Sequence, residues 1–398
     1  MIATSDTWKQ ISYDKRHRTV VSFYVDGMYI PAGRIAASPT ITSAFYTDTF
    51  CVGKCASSCL EITYLPTVLP TKAAKVQVYC TIYPRDGDWL LADEADDYIV
   101  DDKGQPIMLG SFDSICVGTW YIDTRSHNTN GWVTLECYDK IAVLDSYTVK
   151  QAAEKLNVTL SYPLYPSDIM SLASEITGVA HTPSDISDDV SFTEADINKM
   201  PLRTCVGYCA AQAGGNIRMD NTGDKIVFVP LNNIWAIYDD LDYDIYIEDD
   251  SSEPIECEDD DLLFEDESNS HIFIDHRNVF GLQYLGLYES IQKVRVLGPD
   301  DKTYKASFGS GHTLSVSWPL SSASANIAVN VLSSVEGLAY FGWAAEQALL
   351  NPCLQIGDPV VVDGALTIIS EITATLGGAY VVSCGARCEK EVTHELIV

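Results

Sequence analysis

A mixed, β-dominated α+β fold is predicted by two features of the sequence. Alternating apolar and polar runs occupy both ends, at 19–137 and beyond 291, while the apolar residues between them shift to helical steps. At 398 residues the chain is long enough for two or three domains, and 46% hydrophobic against 20% charged residues marks it as globular.

The elements follow in order. "TVVSFYVDGMYIPAG" alternates around Asp26-Gly27, the pattern of a hairpin. "SSCLEITYLP" and "AAKVQVYCTIYP" are further strands closed by proline. "SICVGTWYIDTRSHNTNGWVTLECYD" reads as two strands joined at Asn128 to Gly131. Short strands so spaced suggest a sandwich or barrel. Near Ser146 the period changes: "DSYTVKQAAEKLN" and "YPSDIMSLASEITGVA" are helical, with Ser167 or Asp168 as the expected N-cap of the second.

"TCVGYCAAQAGGNIRMDNTGDKIVFVPL" then predicts a helix begun at Pro201 and Thr204, amphipathic, with Val206, Cys209, Ala210 and Ala213 as its buried stripe. Gly214-Gly215 supplies the positive backbone angles of a C-cap. A hairpin follows, with Ile217 and Met219 facing the same side as Ile226 and Phe228 on its return. Residues 236–267 hold 16 acidic residues in 32 and no Lys or Arg. That composition predicts a connecting loop, with a strand where Tyr238, Tyr243 and Ile245 to Ile247 interleave with the acids. Beyond Ile291 come a strand, a Pro-Asp turn and a strand, then the more helical "ANIAVNVLSSVEGLAYFGWAAEQALL", then three or four closing strands with glycine turns. The boundaries predicted are a β domain at 1–147, an α/β domain at 148–235, an acidic connector at 236–290 and a second β domain at 291–398. "NGWVTLEC", ending at Cys137, echoes "GGAYVVSC", ending at Cys384.

The net charge of −31, from 56 acidic and 25 basic residues, excludes a phosphate-gripping surface and stable binding to anionic membranes. It is compatible with a protein past which DNA slides. The opening "MIATSDTWKQISYDKRHRTVV" lacks a signal peptide's apolar core and no run reaches a membrane span, so a soluble cytoplasmic product is expected. Twelve cysteines include no CxxC pair, and reduced, buried thiols are the expectation. Cys51, Cys55 and Cys59 converge on a metal only if helical, which their β-rich flanks oppose. His271 and His276, with Asp275 between them, have a spacing that suits neither a helix face nor one side of a strand. Asp242 and Asp244 are followed by Tyr246, so the calcium-loop pattern fails. No P-loop, GxGxxG, GxSxG or HExxH pattern occurs, and Ser310 beside His312 reads as a flexible Gly-Ser-Gly loop. Among so many acids no glycosidase pair can be nominated. No catalytic, cofactor-binding or metal-binding residue is therefore assigned.

Four stretches in order resemble the tail or baseplate hub proteins of tailed bacteriophages and phage-like contractile particles. They are "FCVGKCASSCLEITYLPTVLPTKAAKVQVYCTIYP"; "VGTWYIDTRSHNTNGWVTLECYDKIAVLDS", with Tyr121, Asp123, Thr124, Arg125, Cys137, Tyr138 and Asp139; the helix–Gly-Gly–hairpin stretch; and "NPCLQIGDPVVVDG". The family's arginine after the threonine is absent here, Arg203 preceding Thr204 instead. The resemblance implies hub architecture: two tube-like β-barrel domains around a helix-containing middle, giving a pseudo-sixfold ring in a homotrimer. It also implies a place in the virion tail, a tail tube or distal tail protein above, and a spike, fibre or tip protein below. The implied role is structural and non-enzymatic, without cofactor, with DNA only passing through the lumen. The chain ends just after the last expected barrel, so no added lytic or receptor domain is expected. The alternatives are a tail-associated cell-wall hydrolase and a receptor-binding module drawing on the 22 tyrosines and seven tryptophans.

Overall fold

The computed structural model describes residues 2, 8, 18–45, 52–83, 114–128, 130–181, 186–231, 273–274, 279–287, 291–335, 341–348, 352–362, 365–376 and 380–386. The first β region supplies β1 (Arg18–Val25), β2 (Met28–Ile30), β3 (Thr40–Ala44), β4 (Cys59–Tyr64), β5 (Lys75–Tyr83), β6 (Ser114–His127) and β7 (Val133–Tyr138). The expected hairpin at Asp26-Gly27 forms, pairing Tyr24 with Tyr29 and Val25 with Met28. The long hairpin of β6 and β7 turns at Asn128 to Gly131 as expected, where the Asn128 side chain accepts from the Trp132 N–H.

The middle region contains α1 (Val149–Leu156), α2 (Pro166–Thr177), β8 (Ala180–His181), α3 (Glu194–Ile197), α4 (Leu202–Gln212), β9 (Gly215–Met219) and β10 (Lys225–Pro230). Thr148 caps α1 in a reciprocal pair with Gln151, and Asn157, left-handed at φ 56°, ends it. At α2 the N-cap is Tyr165 rather than Ser167 or Asp168. Pro166 fits the first helical position, and Asp168 reaches back to accept the Tyr165 N–H at 2.9 Å. The last helix of the set, α4, departs from the amphipathic expectation. Val206, Cys209 and Ala210 are buried, but so are Leu202, Cys205, Gly207, Tyr208, Ala211 and Gln212, and Ala213 is only half-buried. A helix wrapped on all sides needs small residues wherever neighbours approach closely, and Cys, Gly and Ala provide them.

The last region holds β11 (Phe273–Ile274), β12 (Val279–Phe280), β13 (Gln283–Leu287), β14 (Ile291–Leu297), β15 (Thr303–Ser307), β16 (His312–Ser317), α5 (Ala325–Val335), β17 (Phe341–Ala348), β18 (Pro359–Val362), β19 (Ala365–Ile368), β20 (Glu371–Leu376) and β21 (Tyr380–Ala386). The helical expectation for 325–350 holds for α5 and fails for β17, which pairs with β13 and β21. The closing strands number four, β18 to β21. The acidic segment 236–267 and its expected strand lie outside the described residues.

Twelve of the described strands form one hydrogen-bonded sheet that joins the two β regions expected as tube-like barrels, and an isolated bridge ties Ile35, beyond β2, to Tyr64 of β4. The order of the sheet is β12-β17-β21-β20-β3-β4-β7-β6-β5-β1-β2, with β13 on β17. The seam is the antiparallel pairing of Thr40–Ala44 with Glu371–Thr375, which joins strands of both ends of the chain into one ladder. Cys137 and Cys384, the ends of the two echoing stretches, both lie in interior strands of this sheet. Three-stranded sheets β8-β10-β9, β11-β18-β19 and β15-β14-β16 flank it. One large apolar cluster runs from β1 through α4 to β20, so the middle helices are packed into the same core as the sheet. A smaller cluster gathers Ile2, Trp8, Cys80, Ile82, Ile115 and Cys353.

Candidate functional site

The hairpin of β9 and β10 is the piece on which the rest converges. Gly214 ends α4 with φ 71°, a conformation that glycine adopts without strain, and the Ser334 side chain of α5 lies where its Cβ would be. Gly215 does not share that role, since it already belongs to β9. It is glycine because the Phe228 ring and the Val229 carbonyl occupy the space beside it. Beyond β9 the turn is tied by Asp220, whose carboxylate accepts from the N–H groups of Asp224 and Lys225 and from the Thr222 hydroxyl. The hairpin tip then docks on β6, where Asn221 Nδ2 donates to the Cys116 carbonyl at 2.7 Å.

On its other side, β9 meets residues 53–56. Ile217 donates to the Lys54 carbonyl and accepts from the Ala56 N–H, both at 2.8 Å, and Lys54 N–H donates to Asn216 Oδ1 at 2.8 Å. Arg203 Nε donates to the Cys55 carbonyl at 2.7 Å and its Nη1 pairs with Asp145 at 2.5 Å, so the arginine that stands before the threonine braces this contact. Next along the same edge sits Asp139. This buried carboxylate accepts from Ser57 Oγ (2.8 Å), the Ser58 N–H (2.7 Å), Ser58 Oγ (3.0 Å) and the Ile141 N–H (3.0 Å). Ser58 Oγ in turn accepts from the Trp120 indole at 2.9 Å. Burial pushes the Asp139 carboxyl above its ordinary range, against the opposing hydrogen bonds of Ser58 and Ser57. Finally Arg218 reaches residues 355–358, pairing with Asp358 at 3.3 Å and donating to the Gln355 side chain, with both charges largely withdrawn from water.

These groups surround a cavity of about 60 Å³, among whose lining residues are Ser58, Trp120, Asp139, Arg218, Asn221 and Gln355. A space this size accommodates a few water molecules, whereas pockets for ligands run to roughly 300–1,000 Å³. The carboxylates in its lining, Asp139 and Asp220, accept from backbone N–H groups, and the lining arginine, Arg218, is paired with Asp358 beyond it. Of the residues weighed for chemistry, Cys205 and Cys209 lie buried in α4, and burial raises both thiols above the ordinary range. Cys55 is likewise pushed up to about 12 by burial, which leaves it a packing residue. Cys59 is half-buried in β4, and Cys51 lies outside the described residues. Ser310 is exposed in the turn between β15 and β16; that turn is held, its Gly311 N–H donating to Gln292 Oε1 at 2.8 Å. His271, Asp275, His276, Asp242, Asp244 and Tyr246 lie outside the described residues. Among those described, no group of three or more His, Cys, Asp or Glu side chains is placed to hold a metal.

Sequence reading named Asp139 only as part of a motif and missed Ser58, Arg218, Gln355 and Asp358. Their one visible signal was membership of the ordered stretches; partners so far apart in sequence leave no spacing to recognise.

No protein-family model matches the chain, and no curated protein is similar to it in sequence. Solved structures with a similar course of chain exist. The 43 kDa tail protein of prophage MuSo2 from Shewanella oneidensis shares 12% identity at a TM-score of 0.46, covering 92% of this chain and 98% of that one. Prophage tail protein gp18 from Listeria monocytogenes EGD-e shares 10% at 0.47, covering 93% and 95%. A chain of the lidless PdpA–VgrG complex shares 8% at 0.40, covering 95% and 67%. At these scores the likeness assigns neither activity nor partners.

Proposed function

We propose that this chain is the structural hub of a phage tail or tail-like injection machine. In this reading three copies form a pseudo-sixfold ring of tube-like β domains. The ring joins the tail tube to the tip or spike and lines the channel, without catalysing a reaction. The observation that carries the reading is the junction itself. The four stretches that resemble hub proteins, which lie between residues 50 and 364, meet through the contacts of Ile217 with Lys54, Asp139 with Ser58 and Arg218 with Asp358. A shared motif set that serves one internal joint is what an architectural family keeps, whereas an enzyme's motifs gather at an open cleft. The net charge of −31 fits the role, because an acidic lumen repels passing DNA instead of binding it. Mass in solution, measured beside incubation with purified peptidoglycan, tests the reading. A trimer that leaves the wall intact is expected, and a monomer that cleaves it overturns the proposal.

A further inference from the structure

The residues around the β2 edge of the sheet carry an exposed surface made of two acid-free segments. Residues 28–37, "MYIPAGRIAA", contain no acid, and all are exposed except the half-buried Ile30 and Ile35. Residues 65–73, "LPTVLPTKA", also lack acid and are exposed apart from Pro66 and Pro70. Their only charges are Arg34 and Lys72, a local balance of +2 in a chain of −31.

The two segments are built together. Leu65 N–H donates to the Arg34 carbonyl at 2.8 Å and Ala36 N–H to the Thr63 carbonyl at 2.9 Å, while the Arg34 guanidinium binds the Thr67 hydroxyl. From behind, Arg125 donates to the Pro70 carbonyl. Held in this way, the ridge presents Met28 (51% exposed), Tyr29 (55%), Val68 (65%) and Leu69 (51%) to solvent. Nearby Asp26 turns a carboxylate oxygen to the Lys75 N–H at 3.1 Å. Apolar residues gathered on a braced ridge mark a contact surface, since single exposed apolar residues need no such bracing.

We infer that this ridge is the contact by which one copy of the chain seats on the next, an inference that rests on the trimeric reading above. Copies that each carry −31 repel one another, so they can approach closely only where one side is free of acid. The ridge is such a side, and its Arg34 and Lys72 complement the acid-rich surface of a neighbouring copy. A closed threefold ring uses two different patches on each subunit, so an acid-free ridge meeting an acidic face satisfies its geometry.

The double variant Val68→Glu/Leu69→Glu of the full chain, weighed in solution, tests this, with Val158→Glu as the control at another exposed apolar position. The expected result is loss of the trimer in the double variant, at concentrations where wild type and control remain trimeric, with unfolding midpoints unchanged. A double variant that stays trimeric overturns the ridge and leaves the hub reading standing. A wild type that is monomeric at every concentration removes both. A photoreactive residue at position 68 gives an independent reading in assembled particles. A link to a second copy supports the inference, and links only to another polypeptide overturn it.

Discussion

Gly215→Ala is expected to destabilise the chain by about 3 kcal/mol, near the upper end for inserting a methyl group into a packed interior. The new Cβ would lie 2.5 Å from Phe228 Cε2 and 2.6 Å from the Val229 carbonyl oxygen. A flexible side chain could swing aside, but here one obstacle is backbone. Gly215 is paired with Pro230 within the same two-stranded ladder, so the carbonyl can retreat only by opening the hairpin. Opening it also strains the Gly53 N–H bond to the Gly215 carbonyl, 2.9 Å long, which ties the hairpin to the first β region. Denaturant unfolding of the purified variant checks this. A midpoint equal to that of the wild type would show that the hairpin yields and does not anchor the junction.

Asp139→Ala is expected to cost still more, on the order of 4 kcal/mol, because it strands buried donors rather than crowding a contact. Two of its four donors are hydroxyls that can rotate to other acceptors. The Ser58 and Ile141 N–H groups are fixed by the chain and cannot. Asp139→Asn separates charge from hydrogen bonding. Each carboxylate oxygen accepts from one of those backbone groups, so the amide nitrogen must face an N–H whichever way it is turned. The asparagine variant should therefore lose at least half of what the alanine variant loses, read from denaturant midpoints. An asparagine variant as stable as wild type would remove Asp139 from the joint.

Local rules carried much of the fold. Alternation located the hairpins of β1 with β2 and β6 with β7, and helical steps located α1, α2 and α4, because each signal lies within one element. Cap position at α2 was misread because a proline at the first helical position outweighs a nearby serine. The seam between β3 and β20 had no local signal at all: pairing of Thr40–Ala44 with Glu371–Thr375 depends on how the whole chain closes. The same holds for the ion pair of Arg218 and Asp358, whose residues look ordinary until the fold brings them together. Gly214-Gly215 was legible as a helix end. That its second glycine answers to Phe228 rather than to backbone curvature required the packing to be seen.

In the proposed role, three copies of this chain ring the tail axis. That placement is tested most directly by a low-resolution image of the assembled particle with the chain marked by a bound antibody fragment. The account predicts three marks arranged about the axis at the distal end of the tail tube. Marks strung along a fibre, or a single mark off the axis, would contradict it.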